Sequence, residues 1–249
     1  MYLGKDTISG KNERRYSIQE IDEPLERMMV EKHVKLDDYV VDIGANIGMY
    51  TLLLSKYVGK NGKIFSFEPE PESFEILKKN ILENNIENSK LENLAVSNTN
   101  DKVKLFLNEV SGTHTIFKQT THKTTGEYVD VCAITLDDYF LEKKLLDKIS
   151  FVKIDVEGVE FNVLKGMTKI LEKNERISLL IEVIPNQLLD FGTDPNDLLD
   201  FLIQRRFSIY LFDYNKMETR KLNSIEDLQR ENGVSVNIFC KRENQNNSS

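Results

Sequence analysis

Short β-branched runs alternate with stretches of helical periodicity along this chain, the pattern of repeated βαβ units and a parallel sheet. Tyr39-Val40-Val41-Asp42-Ile43 reads as a first strand and Lys63-Ile64-Phe65-Ser66-Phe67 as a second, with helical spacing over 50–57 between them. Pro69 and Pro71 stop the second strand. A helix over about 72–84 then places Phe74, Leu77 and Ile81 on one stripe. A third strand is expected near 90–96. Two β-like runs, 102–107 and 128–134, flank the polar segment 108–127 and predict a β insert over 102–134. A strand over 149–155 follows, then a helix carrying Phe161, Leu164 and Ile170 toward the core. Next come a strand over 177–183, a helix from Pro195 to Arg206 and strands over 208–212 and 234–240. Upstream, Ile21, Leu25, Met28 and Met29 predict one helix within an N-terminal segment 1–36, laid against the entrance to the domain. The polar tail 243–249 is expected to fray.

A length of 249 residues suits one large hydrophobic core, so the expectation is a single α/β domain over 1–249. Charge narrows the partners. With 33 Lys and Arg against 41 Asp and Glu the net charge is -8, which argues against nucleic acid, where affinity rests on neutralising phosphates. Cys132 and Cys240 stand far apart and form neither a disulfide framework nor a zinc motif. No apolar run approaches the roughly eighteen residues of a membrane span, so a soluble, cytoplasmic protein is expected. Nothing in the residues sets an oligomeric state.

The most informative stretch is Val41-Asp42-Ile43-Gly44-Ala45-Asn46-Ile47-Gly48, a buried strand running into a glycine turn before a helix. In an open α/β sheet, ligands bind at the carboxyl ends of the strands. The dinucleotide fingerprint G-x-G-x-x-G fails when it is laid from Gly44, because its second glycine falls on Asn46 and its third on Met49. No G-x-x-x-x-G-K-[ST] phosphate loop occurs either. Glu68 ends the second strand, where such folds present an acid to a ribose diol. An acid before the turn, an acid after the second strand and no anion nest together suit a cationic adenosine ligand with an amino-acid tail, S-adenosylmethionine.

The blocks D-I-G-A-N-I-G-M-Y-T, F-E-P-E-P, L-A-V-S-N and F-V-K-I-D-V-E-G-V-E-F-N-V-L-K-G resemble the FkbM family of S-adenosylmethionine-dependent methyltransferases. The resemblance runs from about Asp37 to Val183, and K-I-D-V-E-G-V-E is its most specific part. It implies a Rossmann-like class I methyltransferase fold, a mostly parallel seven-stranded sheet with a reversed last strand and helices on both faces. It also implies methylation of a hydroxyl oxygen on a small-molecule or glycan acceptor. Carried over by position, Asp42, Gly44, Asn46 and Gly48 would line the methionine and ribose side of the cofactor, and Glu68 would hold the ribose hydroxyls. Leu94 and Ala95 would face adenine, with Leu94 departing from the acid found there in many superfamily members.

Moving a methyl group to a hydroxyl calls for alignment and a proton acceptor. Asp155, at the carboxyl end of the fourth strand, is the first candidate. Glu157 follows two residues later, and both stand where acids also cap a helix. Lys153 lies on the same strand face as Asp155, and a pairing between them would keep Asp155 ionised and weaken it as a base. His114, in Ser111-Gly112-Thr113-His114-Thr115, is the remaining candidate. Convergence of Asp155, Glu182 and Asn186 would give a hard cation oxygen ligands, but no metal is assigned. A [DN]-P-P-[YF] block and a Pro-Cys nucleophile are both missing, which disfavours nucleobase acceptors. The alternative to an enzyme is a non-catalytic cofactor-binding or assembly subunit on the same fold.

Overall fold

A computed structural model of the protein describes residues 23–108, 124–222, 227 and 235–243. Ile21, His114, the middle of the insert and the last six residues lie outside them.

The strands β1 (Tyr39–Ile43), β2 (Lys63–Phe67), β3 (Ser89–Glu92), β7 (Ile149–Ile154) and β8 (Ser178–Val183) run parallel in the main sheet. With β9 (Phe207–Asp213), β10 (Glu218–Lys221) and β11 (Val236–Arg242) they form an eight-stranded sheet in the order β10-β9-β11-β8-β7-β1-β2-β3. The last strand, β11, is antiparallel to both β8 and β9. Seven strands were expected. The eighth, β10, folds back on β9 as an edge strand, and its four polar residues carry no hydrophobic alternation by which a pattern would show it.

Alternation along each strand sends neighbouring side chains to opposite faces. Val41, Ile43, Phe65, Phe67, Val152, Ile154, Leu179 and Ile181 face one layer, made of α4 (Leu136–Glu142), α5 (Glu160–Lys165), α6 (Thr168–Lys173), α7 (Pro185–Asp190) and α8 (Pro195–Gln204). Val40, Ile64, Phe151 and Leu180 face α1 (Pro24–His33) and α2 (Met49–Val58) on the other side. There α3 (Pro71–Glu83) packs Leu77 and Ile81 against Leu52 and Ala45. Helix α1 buries Leu25 and Met29 in the α2 layer, while Met28 is exposed.

Three expected elements change form. The third strand divides: β3 stays in the main sheet, whereas β4 (Ala95–Val96) pairs with β6 (Thr124–Ile134), which also pairs antiparallel with β5 (Asp101–Asn108). The insert is thus a small separate sheet with its own core of Ala95, Leu105, Val131 and Ala133. The helix after β7 breaks into α5 and α6 at Gly166, where an added Cβ would lie 2.0 Å from the Ser97 carbonyl oxygen. The short helices α4 and α7, of 7 and 6 residues, were not expected at all.

Candidate active site

The carboxyl ends of β1, β2 and β7 meet the β4 turn around a cleft with about 650 Å³ of free space. Gly44 and Asn46 line it from the β1 loop, Phe67 and Glu68 from β2, and Leu94, Ala95 and Val96 from the β4 turn. The insert contributes Leu105, and the β7 loop contributes Asp155, Val156, Glu157 and Val159. The wall around Leu94 to Val96 is therefore apolar, and the wall around Asp155 to Glu157 acidic. Described residues of α1 are not among those lining the cleft.

Gly44 has no substitute in this loop. Its φ is +74°, and a Cβ there would sit 1.7 Å from the Asp155 carbonyl oxygen, so the β1 and β7 loops touch backbone to backbone. The amide of Asp155 in turn donates to the Ile43 carbonyl at 3.1 Å. Gly48 caps α2 from behind, its Cα side packed against Leu77 rather than on the cleft wall. Asn46 is also left-handed, at φ +48°, and its backbone N–H donates to Glu68 Oε2 at 2.7 Å. The other Glu68 oxygen accepts from the Glu70 amide at 2.8 Å. Glu68 is 6% exposed, and burial pushes its carboxyl up to about 7.

Asp42 lies elsewhere. Strand alternation turns it to the Val40 face, under α2, where it is fully buried and accepts from Thr51 Oγ1 at 2.7 Å. Lys153, its neighbour in register on β7, stands on the same face. The Lys153 ammonium reaches Asp155 Oδ2 at 2.7 Å and stacks 4.4 Å from the centroid of the Tyr50 ring. Burial opposes both charges, yet Lys153 holds the Asp155 carboxyl below the usual carboxylate range, and Asp155 with Asp42 keeps Lys153 protonated. Asp155 is therefore a paired, weakly basic carboxylate.

The remaining acids near it behave oppositely. Asp155, Glu157 and Glu182 bring carboxylate oxygens within 4.8 Å of one another, while Asn186 is exposed on α7. Burial and the Asp155 charge raise Glu182, which keeps its proton and shares it with Asp155. Burial and the same charge push Glu157 up to about 7. Glu160, 1% exposed, is pushed up to about 8 by burial, with one oxygen accepting from the Gly158 amide at 2.9 Å and the other without a hydrogen-bond partner among the described residues.

These raised acids set a sign for stability. Folded Glu160 keeps a proton that the unfolded chain releases above about pH 4.5, so its contribution is full at low pH and is lost as pH rises toward 8. Glu160→Gln removes that dependence while retaining the acceptor for Gly158. The expected result is a melting temperature about 5 °C higher than wild type at pH 8.5 and near parity at pH 5, read by calorimetry.

Gln187 did not emerge from the sequence. It is 3% exposed on α7 and donates from Nε2 to Glu157 Oε2 at 3.2 Å, thirty positions away in sequence. A lone glutamine on a six-residue helix carries no periodic signal; its only hint was its place just after the fifth parallel strand.

The topology, the reversed last strand and a cleft at the strand ends are those of the Rossmann-like class I methyltransferase fold. Residues 42–209 match the Methyltransferase FkbM domain, and the chain belongs to that family. It is 28% identical over 206 residues to the hexuronic acid methyltransferase AglP of Haloferax volcanii, covering 81% of this chain and 72% of that protein. Methyltransferase 1 of Beauveria bassiana is 26% identical over 152 residues, covering 53% of this chain and 59% of the relative. A methyltransferase of Streptococcus mutans, solved in complex with SAH, shares the fold at a TM-score of 0.51 and 14% identity, over 90% of this chain and 99% of that one. No described helix is long and apolar enough to cross a membrane.

The residues present fit the cofactor. Asn46 Oδ1 is buried on the cleft wall with no hydrogen-bond partner among the described residues, an acceptor in want of a donor such as a hydroxyl or ammonium group. Glu68 offers unused lone pairs beside it.

Proposed function

We propose that this protein transfers a methyl group to a hydroxyl oxygen of a glycan or small metabolite, with Glu157 taking the hydroxyl proton. The observation that carries the proposal is the division of labour among the acids of one cleft. Two wall carboxyls are poised near neutrality, Glu68 beside Asn46 on the cofactor side and Glu157 on the β7 side; Asp155 is neutralised by Lys153, so Glu157 is the one left to face the acceptor. S-adenosylmethionine supplies an electrophilic methyl on a sulfonium when bound.

The chain's own groups do the rest. Glu68 accepts from the two ribose hydroxyls, Asn46 Oδ1 accepts a further donor, and Leu94, Ala95 and Val96 form the apolar wall for adenine. Glu157, deprotonated above about pH 7, accepts the proton of the acceptor hydroxyl as the oxygen attacks. Protonated Glu182 leaves Asp155 with a single negative charge to set against Lys153, so the floor of the cleft carries less repulsion than three ionised acids would bring. The likeness to AglP supports a sugar-containing acceptor, and the net charge of -8 supports one other than nucleic acid.

The test is incubation with methyl-labelled S-adenosylmethionine and a panel of neutral glycosides, uronates and hydroxylated metabolites. The expected product carries a label that survives mild alkali, as a methyl ether does. A label released by alkali, from a methyl ester, would contradict hydroxyl transfer. Binding of the cofactor with no transfer to any class would favour a non-catalytic subunit.

A further inference from the structure

Glu157 occupies an uncommon piece of backbone. Its φ is +56°, in the left-handed region where a side-chain-bearing residue costs on the order of 1 kcal/mol, and Gly158 follows at φ +99°. An added Cβ on Gly158 would lie 2.5 Å from the Phe191 ring and 2.8 Å from Gln187 Cβ, so α7 and the residue that ends it are pressed directly onto this loop. From the other side the Glu160 carboxylate accepts from the Gly158 amide at 2.9 Å. The loop that carries Glu157 is clamped on both flanks.

Gln187 adds an unusual bond to that clamp. The residue is 3% exposed, its Nε2 donates to Glu157 Oε2, and its Oε1 is buried with no hydrogen-bond partner among the described residues. Burying an amide with one end unsatisfied costs roughly 1–3 kcal/mol, which a leucine or methionine at the same place would avoid. Among the described residues, the side-chain hydrogen bond obtained in return goes to Glu157. A carboxylate accepts only, so the donor end of the amide must face it once Glu157 ionises.

We propose that Gln187 is a positioning residue for the methyl transfer: its side-chain amide holds the Glu157 carboxylate at the cleft wall in its ionised, proton-accepting state. The proposal rests on Glu157 being the proton acceptor, but it makes a separate statement about what governs that carboxylate. The titratable groups facing Glu157 are the ionised Asp155, the raised acids Glu160 and Glu182, and Lys153 as the cation. Against three acids and one paired lysine, the Gln187 donor is the neutral group that favours ionisation.

Replacing Gln187 by methionine keeps length and apolar packing and removes the donor. The readout is the titration of the Glu157 carboxyl carbon by NMR in protein labelled at glutamate, the resonance being assigned by its loss in Glu157→Gln. The Glu157 midpoint is expected to rise by about one pH unit in Gln187→Met, the effect of one hydrogen bond to a charged acceptor. Affinity for S-adenosylhomocysteine should stay within about twofold, and the alkaline rise of turnover should move by the same unit with kcat at high pH largely recovered. Should the methionine variant fail to fold, Gln187→Asn withdraws the amide by one methylene and is read in the same way. A Glu157 midpoint unmoved in the folded variant overturns the proposal. Failure of Glu157 as the base appears differently, as turnover retained in Glu157→Gln whatever Gln187 does to the titration.

Discussion

Glu68→Ala weakens binding of S-adenosylmethionine and S-adenosylhomocysteine by at least about 10²-fold. The magnitude follows from two hydrogen bonds to a charged acceptor, each worth about 1.5–3 kcal/mol, lost together from a buried position. Glu68 also bridges two loops, accepting from the backbone of Asn46 and of Glu70, so the alanine variant frees two amides and loosens the β1 turn as well. Glu68→Gln separates the two effects, because a glutamine oxygen still accepts from one of those amides while the diol loses its carboxylate. Its expected position is intermediate in affinity and close to wild type in melting temperature. Burial holds the Glu68 carboxyl near 7, and ribose hydroxyls favour its ionised form, so affinity is expected to rise with pH through neutrality. Isothermal calorimetry across pH 6–8.5 checks both.

Glu157→Gln is the second large effect, and it falls on turnover instead of binding. Loss of a general base typically costs about 10²–10⁴ in rate. The variant is expected to bind S-adenosylhomocysteine within about threefold of wild type and to transfer methyl groups that much more slowly. The sign of the pH dependence follows from the base being active when deprotonated: wild-type kcat rises as pH passes about 7, and that rise is absent in the variant. Asp155→Asn gives the contrast. Removing the ion-pair partner of buried Lys153 leaves its charge set against Asp42 alone and costs on the order of 3 kcal/mol of stability, so its signature is a lower melting temperature with the alkaline rise retained but moved to lower pH.

The main sheet was largely legible because parallel strands buried on both faces leave apolar runs, as in Tyr39–Ile43 and Ile149–Ile154. The turn at Gly44 was legible because only glycine tolerates the approach of the Asp155 carbonyl. Glu68 could be placed by its position at a strand end. Other features depend on contacts that one dimension does not record. Asp42 stood beside the glycine turn in sequence, yet the alternation of β1 carries its side chain under α2, to Thr51, whose hydroxyl also meets that of Ser66. Asp155 was the first candidate for the base and Glu157 came after it; Lys153 binds Asp155 and burial raises Glu157, so their chemistries part. The pairing of Lys153 with Asp155 was foreseeable from their two-residue spacing. That of Gln187 with Glu157 was not, since it depends on how α7 packs back across the β7 loop.

The most direct measurement is calorimetric titration of the folded protein with S-adenosylmethionine and S-adenosylhomocysteine, with NADH as control. One adenosyl ligand bound per chain, weakened by Glu68→Ala, and no binding of NADH is the expected result. Folded protein that binds neither adenosyl ligand, or binds them equally well without the Glu68 carboxylate, would contradict the placement of the cofactor in this cleft.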